Sequence, residues 1–259
     1  LLINCCTGPI QYTGPVHDVV EESKGVQKLV EMIKLGPDHP TAHRAVQVLS
    51  LVSVDPEIKD IFRNEYTEGF EALRAMLERP GGGLFLKHAA LTVNHLCDEN
   101  VPNKIAFMES GGVPAMMRLM DRPPDDPLTA IALDAVTILA EDNDEVDEAV
   151  AVTGVLPRVV EMISNPENPK LTLAAVTAVM HMARDYKDAK RMLTSAGVIY
   201  KLKRIIDECA IEESPESVHL AQMCVSSLTN IAIDTEYWGQ SELAEENVLT
   251  NVRSVFQSA

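Results

Sequence analysis

Aromatic residues are scarce in this chain. They make up 4% of its 259 residues and include a single tryptophan, although 46% of the residues are hydrophobic. The other apolar residues are Leu, Val, Ile, Ala and Met. This composition favours a core of packed helices, and a chain of this length can bury a sizeable core.

Positive charge is also scarce. Lys and Arg number 22 against 39 Asp and Glu, so the formal net charge is -17. Binding to nucleic-acid phosphates through counterion release therefore has no general electrostatic support. We expect no nucleic-acid partner, and the charge favours a protein or peptide partner with a basic or mixed-charge segment.

Long apolar runs and export signals are absent from the sequence. No uninterrupted run approaches the roughly 18 to 20 residues that cross a bilayer, and no signal peptide with a basic start is visible. The cysteines are odd in number and lack C-x-x-C spacing, which favours reduced thiols inside a cell. They are Cys5, Cys6, Cys97, Cys209 and Cys224. We expect a soluble, cytoplasmic protein.

Motifs for catalysis, metals and phosphates are missing as well. The seven histidines show neither H-E-x-x-H nor a Cys/His cluster at ligand spacing. The stretch "PGGG" at 80–83 lacks the lysine and hydroxyl residue of a phosphate loop. The stretch "EDNDEVDE" at 141–148 lacks the central glycine and distal glutamate of a calcium loop. We therefore expect a protein that is not an enzyme and uses no metal and no cofactor.

A repeat of about 43 residues is present instead. The segments "SVDPEIKD", "CDENVPNK", "AEDNDEVD", "ARDYKDAK" and "AIDTEYWG" align on one acidic column. That column consists of Asp55, Glu99, Asp142, Asp185 and Asp234. Its intervals are 44, 43, 43 and 49 residues, and periods of 20 to 50 residues are typical of solenoids and other repeat folds.

Small and apolar columns precede each acidic position. Small residues stand two and ten positions before it: Ser53, Cys97, Ala140, Ala183 and Ala232, and Ala45, Ala89, Ala132, Ala175 and Cys224. Apolar residues stand six and nine positions before it: Leu49, Val93, Val136, Val179 and Leu228, and Val46, Ala90, Leu133, Val176 and Val225. Spacings of three to four residues predict one buried face of a helix of about 15 residues.

Glycine recurs after each acidic position. The column contains Gly25, Gly69, Gly112, Gly154 and Gly197, at intervals of 44, 43, 42 and 43 residues. A glycine between two helices supplies backbone angles that side chains disfavour. Each unit is therefore predicted to contain a short helix, a glycine corner, a second helix of about ten residues, a polar loop and a longer third helix. The acidic residue is predicted to begin the short helix, as in "DPE" at 55–57.

The three-helix unit, the phrase "ESGGVPAMMRLM" and the ending "LTNIA" resemble the armadillo-repeat family. The resemblance implies an all-α, right-handed superhelical solenoid that forms a single domain over 1–259. Its five complete repeats would cover 8–54, 55–98, 99–141, 142–184 and 185–233, with partial units at the ends, including 234–259. HEAT repeats are the nearest alternative, and the glycine corner disfavours them.

The opening "LLINCC" fits the last turns of a third helix. If Gly8 is placed in the acidic column, Cys6 falls in the small column and Leu2 in the apolar one. In that reading Cys5 and Cys6 are buried structural cysteines. The alternatives are redox chemistry of the pair and dual acylation, which would make the chain a membrane-tethered organelle adaptor but requires Met-Gly at the start. With "ENVLTNVRSVFQSA" lacking a third helix after it, both ends are interrupted, which suggests a piece of a longer protein.

The resemblance also implies where a partner binds. In nuclear import receptors of the family, Trp and Asn stand eight and four residues before the acidic column and grip a basic peptide. Here only Asn230 matches that ladder. We expect a non-catalytic scaffold or adaptor that binds a partner segment along the concave groove; the alternative is the client-binding part of a chaperone cofactor. The predicted groove residues are His43, Gln47, Lys87, Leu91, Asn94, His95, Asp134, Thr177, His181, Arg184, Ser226 and Asn230.

Overall fold

The computed structural model describes residues 24–65, 68–80, 83–141, 143–163, 168–184, 186–212 and 214–233. In these ranges all regular structure is helical. The chain divides into two compact units, residues 1–122 and residues 123–259. A single domain over 1–259 stays a prediction. None of the described helices is long and apolar enough to span a membrane.

The first unit contains seven α-helices and one short 3-10 helix in its described part. The α-helices are α1 (Gly25–Ile33), α2 (Pro40–Val52), α3 (Pro56–Glu65), α4 (Glu68–Leu77), α5 (Leu84–Cys97), α6 (Val101–Glu109) and α7 (Gly112–Met117). The 3-10 helix, Arg118–Asp121, continues α7.

The second unit also contains seven α-helices in the residues that the structure describes. They are α8 (Pro127–Leu139), α9 (Asp144–Ala151), α10 (Leu156–Met162), α11 (Pro169–Met182), α12 (Lys187–Ser195), α13 (Val198–Glu212) and α14 (Pro215–Ala232).

The helices follow the predicted three-helix order. We call α3, α6, α9 and α12 the first helices, and α1, α4, α7, α10 and α13 the second helices. The third helices are α2, α5, α8, α11 and α14. This order confirms the all-α repeat fold. "LLINCC" and the segment 234–259 lie outside the described residues.

The predicted columns form the core between third helices. Helix α2 packs against α5 in the first unit, and α11 packs against both α8 and α14 in the second. Leu49, Val93, Val136 and Val179 are at most 1% exposed. The small residues are equally buried, and Ala175 is 0% exposed. Small side chains at these positions let neighbouring helices approach closely; only at the end, in α14, are Val225 and Ala232 half-buried.

The third helices begin at local signals in the sequence. Four of them start with proline, which suits the first helical position because that N–H has no helical partner. The residue before each proline caps the helix with its side chain. For example, Asp126 Oδ1 accepts from Leu128 N at 2.9 Å, and Asn168 Oδ1 accepts from Leu171 N at 3.1 Å.

Only some residues of the acidic column begin a first helix. Asp55 does so as predicted, because its Oδ1 accepts from Glu57 N at 2.9 Å before α3. In the next repeat the cap is Asn100, whose side chain accepts from Asn103 N at 3.1 Å. Glu99 instead adopts a left-handed backbone, with φ 50°. The prediction was therefore wrong by one residue at Glu99.

The glycine column serves two different purposes. Gly154 and Gly197 have φ of 77° and 80°, as the predicted corner requires. Gly69 and Gly112 have helical backbones instead, and a Cβ on either would collide with the ring of Phe62 or Phe107. The corner prediction is thus wrong for these two, where glycine makes room for an aromatic ring from the preceding first helix.

A column of buried charged residues was missed at the sequence level. The fourth residue of each described first helix is Lys59, Lys104, Asp147 or Lys190, and all are at most 8% exposed. Lys59 Nζ donates to Asp98 O at 2.7 Å, and Lys190 Nζ donates to Ile233 O at 3.0 Å. Both carbonyls lie at the C-terminal end of a third helix, where a cation satisfies them and complements the helix dipole.

Candidate functional site

Each of the third helices α2, α5, α8 and α11 is largely buried except for one stripe of residues along its length, whereas α14 leaves further residues half-buried or exposed. In α8 and the two residues after it, the residues from Leu128 to Glu141 are buried except for five. These five are Ala130, Asp134, Thr137, Ile138 and Glu141. Their spacing of three to four residues places them on one helical face. We call these solvent-facing rows the third-helix stripes.

The other third helices carry equivalent stripes. The middle of the α2 stripe contains His43, Arg44, Gln47 and Leu51. The α5 stripe contains Leu84, Lys87, His88, Leu91, His95 and Asp98. The α11 stripe contains Leu173, Thr177, Met180, His181 and Arg184. The α14 stripe contains Gln222, Ser226, Thr229, Asn230 and Ile233.

The predicted groove residues lie on these stripes, with one exception. Asn94 is 5% exposed and therefore offers almost no surface to a partner, so it is removed from the candidate site. The remaining predictions divide between the two units. His43, Gln47, Lys87, Leu91 and His95 lie in the first unit. Asp134, Thr177, His181, Arg184, Ser226 and Asn230 lie in the second.

His43 is part of a packed cluster at the start of α2 and α5. Its ring stacks on Phe85 with 4.4 Å between centroids and 9° between planes. The guanidinium of Arg79 lies 5.5 Å from the centroid of the Phe85 ring. Both His43 and Arg79 donate to Pro37 O. The two helix starts are therefore held together, and His43 presents only part of its surface.

The slot four residues before the acidic column connects neighbouring third helices. In the first unit, His95 Nδ1 donates to Ser50 O of α2 at 2.9 Å. In the second unit, Asn230 Nδ2 donates to Met180 O of α11 at 2.9 Å. The two carbonyls occupy equivalent positions of the repeat. These side chains stabilise the packing between neighbouring third helices. A role for Asn230 in gripping a peptide would not require such a bond.

Burial alters the protonation of two histidines on the α5 stripe. The pKa of His88 lies below its ordinary value, first because of burial and then because of the neighbouring Lys87 cation. Burial also lowers the pKa of His95, partly opposed by the bond to Ser50. In the second unit, His181 is 14% exposed in its side chain, and its Nδ1 lies 3.7 Å from Glu141 Oε1.

Three charged side chains on the stripes form no ion pair or side-chain hydrogen bond with any described residue. They are Arg44 of α2, Lys87 of α5 and Asp134 of α8, and all three are exposed. Neighbouring atoms nevertheless desolvate the Asp134 carboxyl enough to raise its pKa. Arg44 was missed at the sequence level, although its position three residues before Gln47 places it on the same helical face.

No protein-family model matches the chain, and no curated protein matches its sequence. Solved structures do match its fold. One is a designed armadillo repeat protein in complex with the peptide (KR)4, with 17% identity and a TM-score of 0.72 over 90% of this chain and 98% of that one. Another, a computationally designed armadillo repeat protein for modular peptide recognition, has 16% identity and a TM-score of 0.73 over 88% and 90%. An engineered protein has 18% identity and a TM-score of 0.69 over 90% and 97%.

Proposed function

We propose that this chain, which has the all-α fold of armadillo repeat proteins, is a non-catalytic scaffold that binds segments of a partner protein on its third-helix stripes. The observation that carries the proposal is the burial pattern. The third helices α2, α5, α8 and α11 bury almost every residue outside the stripe, so the stripe is where their sequence is free to serve a partner.

The fold of the structural neighbours supports this function. One neighbour is a designed armadillo repeat protein in complex with the peptide (KR)4, and another was designed for modular peptide recognition. By analogy we place the partner as a protein or peptide segment. Asp134, which has no ion-pair partner among the described residues, and the excess of acidic residues favour basic side chains in a segment that meets the second unit. We also place the protein in the cytoplasm.

Photo-crosslinking in cell extract tests the proposal, because it captures whichever protein lies against the labelled position. A photoreactive phenylalanine analogue is introduced at Gln47 or Ser226 on the stripes, and at Arg191 or Glu208 for comparison. Arg191 lies on a first helix and Glu208 on a second helix, with side-chain exposures of 66% and 64%. After irradiation, crosslinked proteins are identified by mass spectrometry.

We expect the same partner to be crosslinked from Gln47 and Ser226 and neither of the comparison sites to capture it. Each variant must also melt like the parent, so that only folded protein is compared. Capture of a partner from Arg191 or Glu208, with no capture from Gln47 or Ser226, would show that the first and second helices carry the function.

A further inference from the structure

We propose that the α2 and α5 stripes bind an acidic segment of the partner that also carries apolar residues, even though the chain as a whole is acidic. This inference rests on the proposed function and specifies the partner chemistry for the first unit. Three features of this surface support the proposal: its charges, its helix ends and its apolar residues.

The exposed charges in the first turns of α2 and α5 are positive and have no ion-pair partner among the residues that the structure describes. Arg44 and Lys87 are exposed and form no ion pair or side-chain hydrogen bond with a described residue. The acidic member of these stripes, Asp98, is already opposed by Lys59, whose Nζ lies 4.0 Å from Asp98 Oδ2. A carboxylate brought by a partner would therefore find cations that have no competing acidic neighbour among the described stripe residues.

The two cations lie at the same end of neighbouring helices. Arg44 follows His43 in the chain, and Lys87 lies two residues after Phe85. The rings of His43 and Phe85 stack with 4.4 Å between centroids, which brings the first turns of α2 and α5 side by side. Both turns also contribute the positive end of a helix dipole, and α5 has no side-chain cap at Gly83. The local field therefore favours an anion.

Apolar residues complete the surface. Leu84, at the start of α5, is 72% exposed, and Val54, just after α2, is 51% exposed. Between them Leu51 and Leu91 are half-buried on the stripes. Apolar side chains of a partner would gain by covering them. A purely charged segment would leave them exposed, so we assign an occupant in which carboxylates alternate with apolar residues.

The net charge of -17 does not argue against this occupant. At physiological ionic strength, charges separated by more than about 8 Å are largely screened. The nearest charges therefore dominate over those of the rest of the chain. At the starts of α2 and α5 those charges are Arg44 and Lys87, beside the ion pair of Arg79 with Asp38, which adds no net charge.

Two fluorescein-labelled peptides test the proposal by fluorescence anisotropy on the full chain. In one peptide Glu alternates with Leu, and the other is (KR)4. The double variant Arg44→Glu, Lys87→Glu reverses the charge of the stripes. The control double variant Lys28→Glu, Arg118→Glu makes the same change in charge at exposed positions on α1 and on the 3-10 helix. Thermal melts followed by circular dichroism confirm that all variants are folded.

We expect the Glu/Leu peptide to bind the parent with an affinity that falls as salt is added. The stripe variant should lose at least about tenfold in affinity, whereas the control should lose less than about twofold. The conservative variant Lys87→Arg should retain binding. Absence of Glu/Leu binding, or equal losses in the stripe and control variants, would overturn the proposal.

The outcome can be separated from that of the crosslinking experiment. If the photoreactive group at Gln47 captures a partner but the Glu/Leu peptide does not bind, the stripes are a binding surface and the assigned occupant is wrong. If no stripe position captures a partner, the proposed function itself fails. Stronger binding of (KR)4 than of the Glu/Leu peptide, unaffected by Asp134→Lys and strengthened further by the Arg44→Glu, Lys87→Glu variant, would place a basic occupant on the α2 and α5 stripes and overturn the proposal.

Discussion

Ser50 contacts two histidines from the neighbouring third helix. Its Oγ lies 2.9 Å from His88 Nδ1, and its carbonyl oxygen lies 2.9 Å from His95 Nδ1. The carbonyl can only accept, so His95 must carry a proton on Nδ1. The Ser50 hydroxyl donates to Gln47 O at 2.8 Å, so His88 Nδ1 is the donor to Ser50 Oγ. A neutral imidazole with its proton on Nδ1 is therefore sufficient for both bonds.

The protonation of this pair predicts a pH dependence of stability. The pKa values of His88 and His95 lie below the ordinary value of 6.5. On acidification the unfolded chain therefore takes up protons before the folded chain does. The stabilising contribution is complete above about pH 6.5 and is lost as the pH falls through the folded pKa values. Lys87 and Lys59 act in the same direction as burial, whereas Asp98 opposes it at His95.

Urea unfolding between pH 7 and about pH 5 measures this contribution, since most carboxylates remain ionised in that range. We expect His95→Asn to reduce the loss of stability on acidification, because Asn cannot be protonated and still offers a donor, as Asn230 does in the equivalent slot. The exposed His219→Asn is the matched control. An identical pH slope in the parent and His95→Asn would contradict the assignment.

At the scale of helices, the first and second helices of a repeat meet where a ring covers a glycine. Phe107 of α6 is 0% exposed and lies over Gly112, and Phe62 of α3 lies over Gly69 in the same way. Phe70 joins the two rings, with centroid distances of 5.1 Å to Phe62 and 6.1 Å to Phe107. The three phenylalanines therefore connect two successive helix junctions of the first unit.

This contact predicts the effect of a single methyl group. Gly112→Ala should lower the free energy of unfolding by about 1–3 kcal/mol, because the ring of Phe107 has no room to move in a packed core. The cost should shrink in the background Phe107→Leu, which removes the collision. A double-mutant cycle by urea unfolding measures the coupling. Additive effects would show that the two residues do not interact, and Gly112 would need another explanation.

The recurrence of glycine could be predicted from the sequence, but its reason could not. A glycine that is required for a left-handed backbone and a glycine that is required to make room for a neighbouring ring look identical in the sequence. Gly197 and Gly112 are distinguished only by the backbone angle and by the position of Phe107, and the latter depends on how two helices pack.

At the scale of the whole molecule, the chain consists of two compact units, each with its own buried third-helix columns. Solenoid stability is roughly a sum of repeat and nearest-neighbour terms, so damage to one repeat acts mainly on its neighbours. Different parts of such a chain can therefore open with different free energies.

A charge in the core of the second unit tests this locality. Ala175 of α11 is 0% exposed, so Ala175→Asp places a carboxylate where its desolvation is uncompensated and should cost several kcal/mol. Hydrogen exchange followed by mass spectrometry should show lost protection in α8, α11 and α14, and nearly parental protection in α2 and α5. The matched control is Ala130→Asp at an exposed position of α8, with an effect below about 0.5 kcal/mol.

Uniform loss of protection in both units would contradict this local response and would indicate a single cooperative unit. Parental protection throughout would mean that the small column is not a packed core.

The sequence by itself determined the repeat, the order of its helices and the buried columns. These follow from the 3.6-residue period of a helix and from residue size, and both are local properties that recur with each repeat. The exposed face of the third helices could also be predicted, because residues opposite a buried face must be exposed.

Only the tertiary structure decided what each polar or charged residue contacts. It buries Asn94, engages His95 with a residue 45 positions earlier, and leaves Arg44, Lys87 and Asp134 without ion-pair partners among the described residues. Such contacts depend on the spacing and rotation of neighbouring helices, which no single segment of sequence encodes. For that reason the exposed stripes could be predicted from the sequence, whereas the charged residues on them that lack an ion-pair partner among the described residues could be identified only in the folded chain.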